Sequence, residues 1–502
     1  MAGSFGRSYD PPGVRLQSGA RGSPQRSLAS RRKSMSAFHP RRWALAAMVA
    51  AVPVLGWADA PSDLGGKLTA IGAIKAANAD GSVPEYTGEK NFPADMKTWT
   101  PQYLENLRTK DVKKLEAEFK KAIKADLLKP FDTVTKANLA KYQDKLTDGH
   151  KALFAKYPTY KMLLYKGVRT GFFPKEIEDA TIKNASSAKL TGTDLVTGAS
   201  IGFPFPIPKS GAEVIWNHRM KYRGNAVTRF NNQAIVKPDG SYQITKLTEN
   251  VKFKYANFKN PPAADNKYLL MYLSETISPP RVAGQLTLAH ELIGPDAGSG
   301  RAAWIFSPGL GRVNRAPDVG YDNPAVGTDN EQYFDQIDVF NGSLDRYDWK
   351  LIGRKEMYIP YNSYQINSPL VKYKDLLKPF HVNQDEARYE LHRVWVVEAN
   401  VKSGVRHNFA KRVFYVDEDS WSIAGVDCYD GRGQLWKVQE AHLITAPFIP
   451  TVTGSPEIIY DLQSTRYFVT ALANEDKITD FSVSFDDKDF DPSALKKKAR
   501  TK

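Results

Sequence analysis

Tyr389-Glu-Leu-His-Arg-Val-Trp-Val-Val-Glu-Ala-Asn-Val401, Arg412-Val-Phe-Tyr-Val416, Trp421-Ser-Ile-Ala-Gly-Val-Asp-Cys-Tyr429 and Gln434-Leu-Trp-Lys-Val-Gln-Glu-Ala-His442 stand in one stretch, joined through Lys402-Ser-Gly404, Asp417-Glu-Asp419 and Asp430-Gly-Arg-Gly433. β-branched and aromatic residues dominate the runs, and turn residues bound them. Connections this short force neighbouring strands to lie antiparallel. An antiparallel sheet with one wet face alternates apolar and polar residues. Here both faces are apolar: Tyr389, Leu391, Arg393, Trp395, Val397 and Ala399 fall on one side of the first run, His392, Val394, Val396 and Glu398 on the other. Such a sheet needs cover on both faces, either from ordinary layer packing or from an enclosed apolar cavity that holds a ligand.

Outward from this stretch the period of two continues. Ala226–Lys237, the turn Pro238-Asp239-Gly240 and Ser241–Tyr255 read as a hairpin. Arg281–Ile293 and Tyr347–Tyr358 read as strands, Ala302–Phe306 and Arg312–Ala316 as a second hairpin, and Ile458–Thr470 as one last strand. Before residue 221 the pattern changes. Val112, Leu115, Phe119, Ile123 and Leu127 form one stripe of a helix over 111–128 that Pro130 ends. A second helical pattern runs from Leu139 to Phe154, and 59–100 read as loops and turns. Phe203-Pro-Phe-Pro-Ile-Pro208 is an extended strap, because three prolines fix its backbone. Glu213–Met220 reads as a short helix. The fold class is therefore α+β, a large curved antiparallel sheet with helices packed on or in it. The expected division is a helical and loop region over 59–220, a β half-barrel over 221–481, and a charged tail over 482–502 that frays into solvent.

Charge narrows the function classes. The 502 residues carry a net +15. Nine basic residues against Asp10 put +8 in residues 1–42, and the last seven residues hold five more positive charges, so 59–495 keeps only +2. A body this close to neutral has no field suited to a phosphate backbone, which argues against nucleic acid as a partner. Arg41 and Arg42 precede an apolar run, Trp43–Leu55, and Gly56-Trp57-Ala58 supplies small residues for cleavage. Residues 35–58 thus read as a secretory signal peptide cut near Ala58, residues 1–34 as disordered or preceding the true start, and the periplasm as the destination. No cysteine follows the cut, so a lipoprotein anchor is not expected; Cys428 is the one cysteine.

Candidate chemistry is sparse. Gly198-Ala-Ser200-Ile-Gly202 matches a nucleophile elbow, but a proline strap follows where the elbow requires a helix. Asp318, Asp322, Asp329, Glu331, Asp335, Asp338, Asp345 and Asp348 crowd one segment; it reads as a solvated acidic loop, with a calcium site or a glycosidase carboxylate pair as the functional alternatives. The histidines make no HxH or HExxH pattern, so neither a metal nor another cofactor is expected.

Longer strings are specific. Phe203–Pro208, Glu213-Val-Ile-Trp-Asn-His218, Phe340-Asn-Gly-Ser-Leu-Asp-Arg-Tyr-Asp-Trp-Lys350, Met357-Tyr-Ile-Pro-Tyr361 and Tyr389–Glu398 resemble signature segments of the domain of unknown function 1329 family, a secreted proteobacterial group, over about Leu68 to Phe481. Trp304–Val313 and Arg412–Trp421 are also similar to strand-turn-strand segments of the LolA/LolB-like, outer-membrane lipoprotein-sorting superfamily. That resemblance implies an unclosed barrel over helices with an apolar cavity, and, as partners, a hydrophobic small molecule or lipid, an inner-membrane efflux-type transporter and an outer-membrane protein. It implies no catalytic residues.

The reading that follows is a non-enzymatic periplasmic carrier of a hydrophobic molecule serving an envelope transport system. Trp304, Phe306, Trp395, Val397, Phe414 and Trp436 are its candidate ligand-binding residues, with the inward face of each strand left open. The alternatives are a periplasmic hydrolase using the acidic 318–348 loop and a structural transporter subunit without a ligand.

Overall fold

The computed structural model describes residues 59–500 apart from 264–265, 294–299, 317–320 and 326. The expected signal peptide, the segment before it and Asp318 lie outside the described residues.

Fifteen strands form one open, curved, mixed sheet. In spatial order it runs β1 (Asp132–Val134), β2 (Met162–Tyr165), β12 (Tyr389–Val401), β13 (Lys411–Asp417), β14 (Ile423–Tyr429), β15 (Leu435–Ala446), β16 (Thr451–Asp461), β17 (Tyr467–Leu472), β5 (Ala226–Val236), β6 (Tyr242–Phe253), β7 (Tyr268–Ser278), β8 (Leu286–Leu292), β9 (Arg301–Ser307) and β10 (Arg312–Arg315). The long β11 (Tyr347–Pro360) also pairs with β12. Neighbours are antiparallel except β2 and β12, which pair in parallel at Tyr389↔Leu164 and Glu390↔Tyr165. The two halves of the sheet join where β17 meets β5, with Phe468 opposite Ile235. A separate ribbon pairs β3 (Lys189–Thr191) with β4 (Leu195–Thr197).

The helices are α1 (Pro101–Lys110), α2 (Val112–Lys120), α3 (Asp148–Lys156), α4 (Lys175–Ser187), α5 (Gly211–Arg219), α6 (Tyr373–Leu376) and α7 (Pro492–Arg500). Their starts follow from side chains that satisfy free amides of the first turn. Thr100 accepts from the Tyr103 amide, Asp111 from Lys114, Thr147 from His150 and Ser210 from Glu213.

Packed layers cover the sheet on both faces. One face packs α5, the proline strap and the chain before β11 against Trp395, Val397, Phe414 and Val426. The other packs α3 and the α6 segment against Val438, Tyr460, Tyr467 and Val469. A further core lies between α1, α2 and the sheet. None of the described helices is long and apolar enough to cross a membrane.

Several elements differ from their sequence reading. The helix expected over 111–128 ends at Lys120 and is followed by a 3-10 turn at Ala125–Leu127, while α1 precedes it. Only Leu104 and Leu107 of α1 are buried, too few to make a stripe. Ile458–Thr470 is two strands: Asp461 Oδ1 accepts from the amides of Gln463 and Ser464, both at 2.8 Å, and turns the chain. The run Leu269-Leu-Met271 of β7 faces both sides without alternating, which hid that strand. Within the described part of the tail, Phe490 and Leu495 are buried beside β8 and β9 rather than released into solvent.

Candidate functional site

Among the cavities that border the β5–β16–β17 region, two share part of their walls. The first, of about 440 Å³, lies between the α1–α2 pair and the sheet. Leu104 from α1 and Leu115 and Phe119 from α2 form one wall with Ile123. Ile444 and Ala446 of β15 and Ala471 of β17 form the facing wall, with Phe448, Ile478 and Phe481 beside them. The helix stripe explains this wall: apolar residues at helical spacing turn one face inward, and small residues opposite leave it short of filling.

The second cavity, of about 200 Å³, lies over β5 to β9 and beneath the 325–341 segment. It shares Arg229, Asn231, Thr453, Ala471 and Phe481 with the first. Its wall is mixed, with charged groups set among apolar ones such as Val227, Leu270, Ile305 and Phe334. Arg229 Nη2 lies 2.9 Å from Glu249 Oε2, and Glu249 Oε1 accepts from the Tyr272 hydroxyl at 2.7 Å and from Asn231 at 3.1 Å. Arg301 pairs with Glu291 at 2.5 Å. Asp338 accepts from Lys221 Nζ at 2.8 Å and from Arg223. Burial alone would raise the Asp338 carboxyl; Arg223 and Lys221 outweigh it and hold the group well below its usual range. Glu457, on the same wall, goes the other way: burial and the neighbouring Asp338 push it up to about 7.

A third cluster is enclosed. His392 lies 3.3 Å from Glu390, 3.7 Å from Asp417 and 3.9 Å from Asp419. Tyr361 stacks on its ring at 4.0 Å. Among the described residues, His392, Asp417 and Asp419 alone have the types and spacing to hold a metal ion. Arg169 nevertheless clamps both oxygens of Asp419, at 2.8 and 2.6 Å, which makes the cluster a buried ion network. Burial lowers the imidazole, and Glu390 with Asp417 and Asp419 outweighs it, so the His392 pKa is raised. Burial and the Asp419 charge lift Asp417 to about 7.

A family model described as a protein of unknown function, DUF1329, matches residues 133–496. The chain belongs to the DUF1329 family. An uncharacterized protein of Pseudomonas aeruginosa is 41% identical over 445 residues, 88% of this chain and 93% of that protein. Three solved structures are similar to this DUF1329 chain over 57% of its length. A DUF1329 family protein from Desulfovibrio piger has 16% identity, a TM-score of 0.40 and 97% of its own chain covered. A putative outer membrane lipoprotein-sorting protein domain from Vibrio parahaemolyticus has 14% identity, a TM-score of 0.40 and 98% covered. A LolA superfamily protein from Nitrosomonas europaea has 11% identity, a TM-score of 0.35 and 100% covered.

The six residues picked from the DUF1329 sequence are not on the cavity walls. Trp395 stacks on Trp421, centroids 6.0 Å apart and planes at 12°, with the Arg354 guanidinium 4.2 Å away. Val397 is fully buried against α5, and Phe414 lies between Phe340 and Trp349. Trp436 packs on Phe409 and donates to Asp461 at 3.1 Å. Trp304 and Phe306 face the core that α7 covers, whereas Ala303 and Ile305, on the opposite face of β9, line the second cavity. Large aromatic residues fill space. Cavities persist where small residues face one another, and no single strand displays that.

The acidic segment is solvated only in part: Asp329, Asp345 and Asp348 are exposed, while other acids are enclosed. Asp335 is buried with His407 at 2.9 Å and with Arg412. Glu331 is buried beside Lys437 at 3.5 Å, and Asp322 pairs with Arg346 at 3.2 Å. Asp335 and Asp338 are held by separate sets of cations, an arrangement that fixes loops rather than presenting two free carboxyls. Ser200 is exposed in a bend before the strap, outside any helix that an elbow would need.

Proposed function

We propose that the chain is a periplasmic carrier that takes up a hydrophobic molecule between α1–α2 and the sheet and passes it on within an envelope transport system. The observation that carries this reading is the apolar cavity of about 440 Å³. Its size falls within the ~300–1,000 Å³ of ligand sites. Its two walls come from different elements, a helix pair joined to the body through loops and a continuous sheet. Moving the helices apart would admit a guest without breaking the sheet ladder. Around the guest, apolar walls replace water, which supplies the driving force. The apolar run at Trp43–Leu55 supports export, and an exported protein can exchange cargo with envelope partners.

Mass spectrometry of protein purified from the periplasm should find a lipophilic guest at one per chain. Ala446→Trp puts an indole into the cavity and should abolish that uptake while leaving the thermal midpoint close to the parent's. Protein that carries no lipophile and takes up none when it is offered would reject the assignment.

A further inference from the structure

The second cavity says what kind of guest the first one accepts. At ~30 Å³ for each water-sized group, about 440 Å³ holds roughly 15 such groups. That is one long hydrocarbon chain; two chains need about twice the space. The smaller cavity, sharing five wall residues with the first, continues the site and adds two deeply buried carboxylates, Glu249 and Glu291.

Its polar atoms are incompletely matched in both senses. Among the described residues, Glu291 Oε2 is a buried acceptor without a hydrogen-bond partner, and Glu249 Oε2, close to Arg229, is not aligned to receive a hydrogen bond. Both glutamates are only 3% exposed. Arg229 Nε and Arg223 Nε are buried donors without a hydrogen-bond partner among the described residues. Unmade hydrogen bonds at charged groups are among the costliest defects in a protein interior. An anionic head satisfies the guanidinium donors and leaves the glutamates facing a like charge. A cationic head does the reverse. A head with an ammonium and a phosphate satisfies both.

We propose that the cargo is a single-chain amphiphile with a zwitterionic head, its tail between α1–α2 and the sheet and its head against Arg229, Glu249 and Glu291. The inference rests on the carrier reading and sharpens it. Thr453, Ala471 and Phe481 stand where tail passes to head.

The test uses delipidated full-length protein and four probes in titration calorimetry: palmitoyl lysophosphatidylethanolamine, palmitate, hexadecyltrimethylammonium and vesicles of dipalmitoyl phosphatidylethanolamine. The lysolipid should bind one per chain, at least about 10-fold tighter than palmitate or the ammonium, a difference of ~1.4 kcal/mol. The diacyl lipid should not be extracted. Palmitate or the ammonium binding as tightly as the lysolipid overturns the proposal, and so does extraction of the diacyl lipid; either result leaves the carrier reading standing. Binding of none of the four, nor of a fluorescent naphthylamine lipophile, removes the carrier reading itself. Two variants locate the head. Glu291→Gln should weaken the lysolipid about 10-fold and leave palmitate unchanged. Thr453→Phe, at the passage, should bring the lysolipid down to the affinity of palmitate. An equal effect on both probes, or none on either, counts against the placement of the head.

Discussion

Asp335 and Arg412 form an ion pair enclosed by the protein, with side chains 2% and 0% exposed. The pair ties the segment before β11 to β13, and His407 and the Tyr347 hydroxyl complete it at 2.9 and 3.0 Å. Burial raises the Asp335 carboxyl, but Arg412 and His407 outweigh burial and leave it below its usual value. A depressed carboxyl contributes stability above its unfolded pKa, near 3.8, and loses it as pH falls through the lower folded value. Asp335→Asn leaves the guanidinium buried without its counter-charge and should cost ~3–5 kcal/mol in urea unfolding at pH 7. The difference from the parent should shrink on acidification below pH 4. A variant as stable as the parent at pH 7 would contradict the pairing.

Phe414→Ala and Trp395→Ala separate packing from binding. Phe414 is fully buried between Phe340 and Trp349. Removing such a ring leaves a cavity and should cost ~3–5 kcal/mol. Trp395 is bracketed by Trp421 and the Arg354 guanidinium and should behave alike. Neither side chain lines a cavity, so lipophile affinity measured below the unfolding range should stay within about twofold of the parent. A selective loss of affinity in a stable variant would return these residues to the site.

The contrast shows which parts of the molecule were legible in the sequence. Hairpins with short turns were, because a turn such as Pro238-Asp239-Gly240 leaves β5 and β6 one way to pair. The stripe Leu115, Phe119, Ile123 was visible as a buried face and proved to be a cavity wall. Nothing local could show that Ala446 and Ala471 stand opposite it. That depends on the pairing of β15, β16, β17 and β5, whose partners lie up to 240 residues apart in the chain. The His392 cluster was hidden for the same reason, since Arg169 reaches Asp419 across 250 residues. In the acidic segment charge density was visible, but the cations that pair with it come from the chain after α5, from β13 and from β15.

Leu495 anchors α7 over β8 and β9 beside Leu286, Leu288 and Phe306. Truncation after Asp491 uncovers that apolar face. The shortened protein should bind anilinonaphthalene dye more strongly and associate in sedimentation analysis, as uncovered apolar patches do. Leu495→Ala should cost ~2–5 kcal/mol if the helix is firmly docked. A truncated chain that stays monomeric and dye-free would show that α7 covers nothing of consequence.

Glu457 gives the second cavity a pH response. Its carboxyl is pushed up to about 7 by burial and by Asp338, against an ordinary value of 4.5. Between those values the folded state binds more protons than the unfolded state, so stability falls as pH rises across the window. The groups that face it include Asp338 on one side and Lys221 and Arg229 on the other. Asp417, lifted to about 7, and Asp427, lifted to about 6, slope the same way elsewhere in the protein. Glu457→Gln isolates one contribution, because the amide cannot ionise while keeping the size of the acid. Relative to the parent, the variant should gain thermal stability at pH 8 and show little difference at pH 5. A difference that is flat between those two pH values would mean that Glu457 titrates as an ordinary surface carboxyl.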